Sequence, residues 1–469
     1  MKRSGSDNSS KVATDVDEKE GKMSKKSRNT LFILFFSLVL DLLGFTVILP
    51  LMPSILEYYG RSDGQDGLYG RLLAAVDGFR DFIGAPQTQK FNIVLFGGLL
   101  GSLFSFLQFV ASPLIGSLSD VYGRRAIMIT TMVGVVMSYV LWAVSYSFPV
   151  FIVARIVGGI SKGNVSLSAA IVTDITTPAH RSKGMAAIAI AFCLGFLFGP
   201  TIGAMFSILG STSEAQSYSI FQYPALFSLC MAAGDVLLIY ALLPETLPSN
   251  RRAKSLGYGV KSALQLINPV SLFRFDAMSK ITKLDRQNLQ VMGVAYFLYL
   301  LLFSGLEYSL TFLCHQVFNY TSIQQGKMFL FIGVVMTLVQ GGYVRRRPSG
   351  SEKQTALQGM LLLMPGMFII GRASSIIMLY VGLVLFSFGA GTVVPSMTSL
   401  TSEFGEGDEK GKVMGIFRSL GALARALGPT VACAVYWRYG AEICYSFGAM
   451  LMLVPLFIFS FVERPVAHR

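Results

Sequence analysis

Apolar runs about 20 residues long, each closed off by a short polar stretch, recur along the chain from about residue 31 to its end. That is the length a helix needs to cross the hydrocarbon core of a bilayer. Twelve such runs begin near residues 31, 92, 126, 148, 182, 221, 291, 325, 355, 374, 411 and 439, so both termini fall on one side. The pattern predicts an all-α membrane protein with twelve transmembrane helices. It also predicts a short amphipathic surface helix in the long connection after the first span, roughly 53–91, where Leu72, Val76 and Phe79 sit among charges.

The runs repeat as a set. A shift of 229 residues carries Lys183, Met185, Gly199 and Pro200 onto Lys412, Met414, Gly428 and Pro429, and Asp174 onto Glu403. Two related sets of six spans predict two pseudo-symmetric six-helix bundles around a site near the bilayer midplane, as transporters are built. A channel or a receptor does not predict this symmetry. The expected boundaries are a disordered tail over 1–30, a first bundle over 31–244, a linker over 245–290, a second bundle over 291–462 and a short tail over 463–469.

Composition places the chain in lipid. Of its 469 residues 53% are hydrophobic and only 14% charged, with a mean hydropathy of +0.58, too apolar for a soluble protein of this length. The net charge of +13 could signal nucleic acid or anionic lipid, but its placement gives a simpler reading. About 28 of the 39 Lys and Arg lie in the amino-terminal tail, the even-to-odd connections and the carboxyl end, against about 7 in the opposite loops. Such an excess marks the cytoplasmic side, so both termini and the linker are expected in the cytoplasm, with membrane lipid and no nucleic acid as partner. The five cysteines, Cys193, Cys230, Cys314, Cys433 and Cys444, are scattered and read as packing residues, neither a disulfide framework nor a metal site. No signal peptide precedes the first span, which is expected to act as its own uncleaved insertion signal.

Some strings say more. In GFLFGPTIG, Gly195, Gly199 and Gly203 clear a stripe for close helix packing, and Pro200 loosens the turn before it; Gly428 and Pro429 repeat this in the second half. GSLSDVYGRR is a charged turn between the second and third spans, where an Asp at a helix end can accept from backbone donors or pair with an Arg on a moving neighbour. The two strings together resemble the major facilitator superfamily and, within it, the drug and proton antiporter branch. DLLGFTVILPLMP in the first span is similar to the Asp, Gly, Pro, Pro pattern of bacterial tetracycline antiporters, and RIVGGISKGNVSLS carries Arg155 at the place of the family's arginine motif. Joined with SLGALARALGP, these strings look like the animal tetracycline-transporter-like members grouped with organic-anion and drug efflux. The resemblance implies that Gly116, Asp120, Gly123, Arg124 and Arg125 form a gating latch. It further implies organic-anion transport across the cell membrane or an internal membrane such as the nuclear envelope. The matching turn of the second half, Gln340 to Arg347, lacks the Asp, so the latch is expected on one side only.

Charge at membrane depth supplies the candidate chemistry. Asp41 lies about 10 residues, roughly 15 Å, inside its span. There a carboxylate either exchanges a proton or is held in a structural ion pair. Arg155, Lys162 and Ser166 share one face of a continuous fourth helix, and Arg418 and Arg425 repeat the seven-residue spacing in the eleventh span. Against these four cations stand Asp41 and Glu307, with Asp235 in a peripheral sixth span expected to pack against a neighbour. Surplus positive charge in a water-filled cavity favours anionic substrates. Asp41 or Glu307 is the expected proton carrier, and Arg155, Lys162, Ser166, Arg425 and Tyr308 the expected substrate ligands, with a pair between Arg425 and Glu307 as the competing structural role. Tyr296, Tyr299, Phe303 and Tyr308 cluster in sequence around Glu307 as an aromatic wall.

The expected function is secondary active transport of amphipathic organic anions or drugs by alternating access, coupled to protons as an antiporter and carried out by a monomer. The alternatives are an uncoupled uniporter or cation symporter for a small metabolite, and a non-transporting scaffold or receptor, which would not need ionisable groups at membrane depth. An enzyme is not expected. The chain has no Walker A string, no H-E-x-x-H and no G-x-S-x-G, and His180, His315 and His468 are far apart. No cofactor or metal is implied.

Overall fold

The computed structural model describes residues 23–63, 67–83, 89–176, 178–211, 219–249, 252, 264, 266–276, 278, 281–348, 350–404 and 409–463. Most of the two expected tails and the middle of the expected linker lie outside the described residues, as do the side chains of Phe79, Lys183 and Lys412. Every regular element among the described residues is helical. In chain order the spans are Lys25–Thr46, Gln89–Tyr122, Arg124–Ala143, a fourth in two pieces (Phe148–Ser161 and Asn164–Ile175), Pro178–Ser211 and Ser219–Leu242, then Lys283–Phe318, Ser322–Leu338, Glu352–Gly371 and Ile376–Thr401. The last two lie in Glu409–Leu451 and its extension Leu453–Ser460.

That final stretch is long enough to look like one helix but crosses twice. Gly440 interrupts it with φ 81°, a left-handed backbone that glycine adopts without a Cβ clash. Beyond the break the chain doubles back. The Cys444 thiol meets the carbonyl of Ala432 at 3.4 Å, whereas twelve residues of unbroken helix would put them about 18 Å apart. The expected surface helix is present as Leu68–Ile83, with Val76 buried and Leu72 exposed.

The glycine stripes do what their spacing predicts. A Cβ on Gly195 would meet Leu42, one on Gly199 would meet Thr46, and one on Gly203 would meet the backbone of Val47, so the fifth span lies directly on the first. Thr46 exploits the close approach, its hydroxyl lying 2.8 Å from the carbonyls of both Leu42 and Gly195. The second half repeats the contact: Gly428 lies against Leu301 and Ser304, and Gly305 against Gly428 and Ala432, which sets the eleventh span on the seventh. Each half has its own hydrophobic core, and each lends the other an aromatic ring. Phe109 of the second span joins the core of the second half, and Trp437, at the end of the eleventh, joins that of the first.

The halves are sealed together at the end opposite the termini. Gly98 lies against Pro429 and Cys433, Gly101 against the ring of Tyr308, and Gly326 against Pro200 and Ala204. The Thr430 hydroxyl reaches Ser102 Oγ at 2.7 Å, and His315 faces Glu57 at 3.4 Å on the rim. Toward the other end of the same helices, Gly116 and Gly415 have nothing within 4 Å of an added Cβ. Beyond the seal the halves still touch, Arg418 at the carbonyl of Val165 and Cys193 at Gln340, and past these contacts the space between the bundles opens toward the end that bears the termini.

Candidate substrate and coupling site

The fourth span is not the continuous helix its sequence predicts. It stops at Ser161, passes through Lys162 at φ −79°, ψ 55°, and restarts at Asn164. No proline is present; the break follows from what it releases. Lys162 Nζ lies 2.5 Å from Asp41 Oδ1, and Asn164 Nδ2 donates to Asp41 Oδ2 at 2.6 Å. A carboxylate with one side on an ammonium and the other on an amide is satisfied at membrane depth, where an unpaired one would be costly. The break also dissolves the expected polar stripe. Lys162 turns to the first span, with its ammonium 4.7 Å from the Phe45 ring centre. Ser166 turns back within its own helix to the carbonyl of Gly163 at 2.7 Å.

Arg155 is held differently. Its guanidinium lies 4.3 Å over the ring of Phe104, and it makes no hydrogen bond or ion pair among the described residues. Tyr308, expected to touch substrate, instead closes the seal: its hydroxyl donates to the carbonyl of Gly97 in the other half at 2.5 Å. Asp235 is fully buried with neither carboxylate oxygen hydrogen-bonded, in the electrostatic company of Ser37, Asp41 and Lys162.

On the second half, Arg425 is exposed to the cleft. It shares a helical face with Arg418, whose guanidinium crosses to the carbonyl of Val165 at 2.8 Å. Glu307, Tyr296 and Tyr299 are its electrostatic neighbours, yet no ion pair closes between Arg425 and Glu307 among the described residues. Tyr296 stacks on Phe417 at 4.1 Å, and Tyr299, Phe303 and Phe386 stack in series. A free guanidinium beside aromatic faces suits a carboxylate or sulfonate on an apolar body.

The charged turn is tied down inside the first half. Arg124 Nη1 is 2.6 Å from Asp120 and 2.6 Å from Ser119 Oγ, and its Nε is 3.1 Å from Asp174 at the end of the fourth span. Gly123 makes the tight corner with φ 102°, and Glu245 then accepts from the backbone N–H groups of Arg124 and Arg125 at 3.0 and 3.3 Å. The carboxylate caps the third span at its positive end. In the second half the corresponding segment winds into one π turn and one 3-10 turn, and Arg347 donates to Gln358 at 2.8 Å.

Several of these residues carry no signal of their own in the sequence. Asn164 was legible only as a polar residue beside the lysine, and Glu245 only as the first acid after the sixth span. Ser102 and Thr430 look like ordinary small residues within spans.

The sequence pattern of the Major Facilitator Superfamily matches residues 34–429. The chain is 46% identical over 442 residues to the mouse (Mus musculus) protein named major facilitator superfamily domain-containing protein 10, covering 93% of this chain and 94% of that one. It is 23% identical over 437 residues to the class C tetracycline resistance protein of Escherichia coli, covering 92% and 96%. Among solved structures it superimposes on the crystal structure of the human organic anion transporter MFSD10 (TETRAN) with a TM-score of 0.80 and 46% identity, covering 92% of this chain and 99% of that chain.

Proposed function

The chain belongs to the Major Facilitator Superfamily, and from that premise we propose that it exchanges amphipathic organic anions for protons across a membrane. It is an integral, multi-pass transporter and not an enzyme. In this reading the bundles 31–244 and 291–462 rock about the linker 245–290, and the end that bears the termini is cytoplasmic, as the distribution of Lys and Arg supports. The conformation described above is then open to the cytoplasm.

The observation that carries the anion assignment is the balance of charge in the cleft. Asp41 is taken up by Lys162, while Arg425 is exposed and unpaired. The open cleft thus presents a net cation beside aromatic walls. The 46% identical human protein described as an organic anion transporter supports the same class of substrate. Glu307 is the proton carrier in this reading: it lies at membrane depth near Arg425 without closing on it, so its proton occupancy responds to whether Arg425 holds an anion. Asp41 serves instead to hold the broken fourth span against the first. Gly116, Asp120, Gly123, Arg124 and Arg125 set the position of the third span and so the resting position of the gate.

The test uses purified protein in liposomes with an imposed pH gradient and a matched series of aromatic carboxylates, sulfonates and amines. Gradient-driven accumulation of the anions, lost in Arg425→Ala, is expected. Accumulation of the amines that survives Arg425→Ala would overturn the assignment.

A further inference from the structure

Behind the cleft, inside the first bundle, lies a small cavity bounded by Phe45, Phe104, Tyr139, Trp142, Arg155 and Lys162, among others. It has room for about one small occupant. Two donors at its wall lack partners: Arg155 Nε and Trp142 Nε1 are both shut off from solvent with no hydrogen bond. The ammonium of Lys162 is already neutralised by Asp41, and Asp235, a neighbour of that pair, does not line the cavity, so the uncompensated charge at its wall belongs to Arg155. The Phe104 ring under the guanidinium offsets only part of the cost of burying it. Tyr139 and Tyr308 are its other electrostatic neighbours, and neither carries an acid's charge at neutral pH.

A half-buried cation whose Nε–H has no partner, a second unpartnered N–H in the same wall, and a space of one small sphere form a site for a hydrogen-bond acceptor, and the charge of Arg155 favours an anion over a neutral water there. We propose that this cavity binds a monovalent inorganic anion of halide size, chloride under ordinary conditions, as the counterion of Arg155. The bound ion is separate from the transported organic anion, whose apolar body the cavity is too small to admit. The inference does not rest on the transport reading, because it concerns equilibrium binding within one bundle.

Trp142 makes the site visible, since the chain has only two tryptophans. In full-length Trp437→Phe protein, Trp142 is the only indole, and bromide or iodide titrated against gluconate at constant ionic strength reports the cavity directly. Saturable quenching that chloride displaces is expected, with Arg155→Gln raising the half-saturating halide concentration at least tenfold. Quenching that rises linearly with the same slope in both proteins would overturn the site. Quenching produced only by a short organic carboxylate and not displaced by chloride would also overturn it, giving Arg155 to the head group of the transported anion. If Arg155→Gln does not fold, the unaltered protein decides the question: its unfolding midpoint should be higher in chloride than in gluconate, and Arg155→Lys should reduce the difference. Equal midpoints in the two salts would end the proposal.

Discussion

Lys162 Nζ and Asp41 Oδ1 lie 2.5 Å apart with 5% and 0% of their side chains exposed, joining the break in the fourth span to the middle of the first. Removing one partner of such a pair leaves the other charged and buried, at a cost of about 3–5 kcal/mol. Lys162→Ala should therefore lower the unfolding midpoint in detergent strongly, and the double variant Asp41→Asn with Lys162→Met should recover most of the loss. A single variant as stable as the unaltered protein would show that the pair carries no structural load.

Glu307 is expected to separate coupling from binding. Glu307→Gln keeps the shape of the group and removes its proton chemistry, so anion binding at equilibrium should persist while accumulation driven by a pH gradient disappears. If driven accumulation continues unchanged in Glu307→Gln, another group carries the proton.

Arg425 should behave as a ligand and not as a partner of Glu307. Arg425→Ala is expected to weaken binding of an aromatic carboxylate at least tenfold, about 1.4 kcal/mol or more. Combined with Glu307→Gln, it should show little coupling in thermal stability, because no ion pair closes between the two. Strong coupling in stability with unaltered anion affinity would reverse the assignment.

At the charged turn, Arg124 holds more than Asp120 does. It contacts Asp120, Ser119 and Asp174, whereas Asp120 is half exposed. Exposed ion pairs contribute little, about 0–1 kcal/mol. Asp120→Asn should thus slow exchange with almost no change in melting, and Arg124→Ala should both slow exchange and lower the midpoint. The opposite ranking of the two variants would place the weight of the turn on Asp120.

Gly98 offers a test of the seal through Cys433, whose side chain is buried against it. Leucine at position 98 should wedge the second and eleventh spans apart and expose Cys433 to a water-soluble maleimide, in protein whose other four cysteines are replaced. Labelling no faster than in the Gly98 protein would mean that the seal yields elsewhere.

Periodicity made the twelve crossings, the surface helix and the repeat legible, because lipid burial demands an apolar run and glycine spacing demands a close neighbour. Pairing across the fold was less legible. The break at Lys162 comes from a tertiary pull toward Asp41, and the sequence around it, with glycine but no proline, accommodates a continuous helix equally well. Tyr308 reads as a candidate ligand because it adjoins Glu307 in sequence. The next residue on a helix points about 100° away, which is how Glu307 lies near Arg425 while Tyr308 closes on Gly97 in the other half. Arg425 was legible because an arginine so deep in a span has to serve either a partner or a ligand.

The seal has a consequence for what controls this protein. Gly97, Gly98, Gly101, Gly326 and Gly333 meet the other half through van der Waals contact with rings, methyl groups and backbone, neutral hydrogen bonds join Tyr308 to Gly97 and Thr430 to Ser102, and the ion pair at the rim, His315 with Glu57, is partly exposed. Interactions of that kind are insensitive to salt, which screens charges and leaves dispersion untouched. Ionic strength is therefore expected to act on this protein through its charged turn, where Asp120 is half exposed, and to leave the seal itself unmoved.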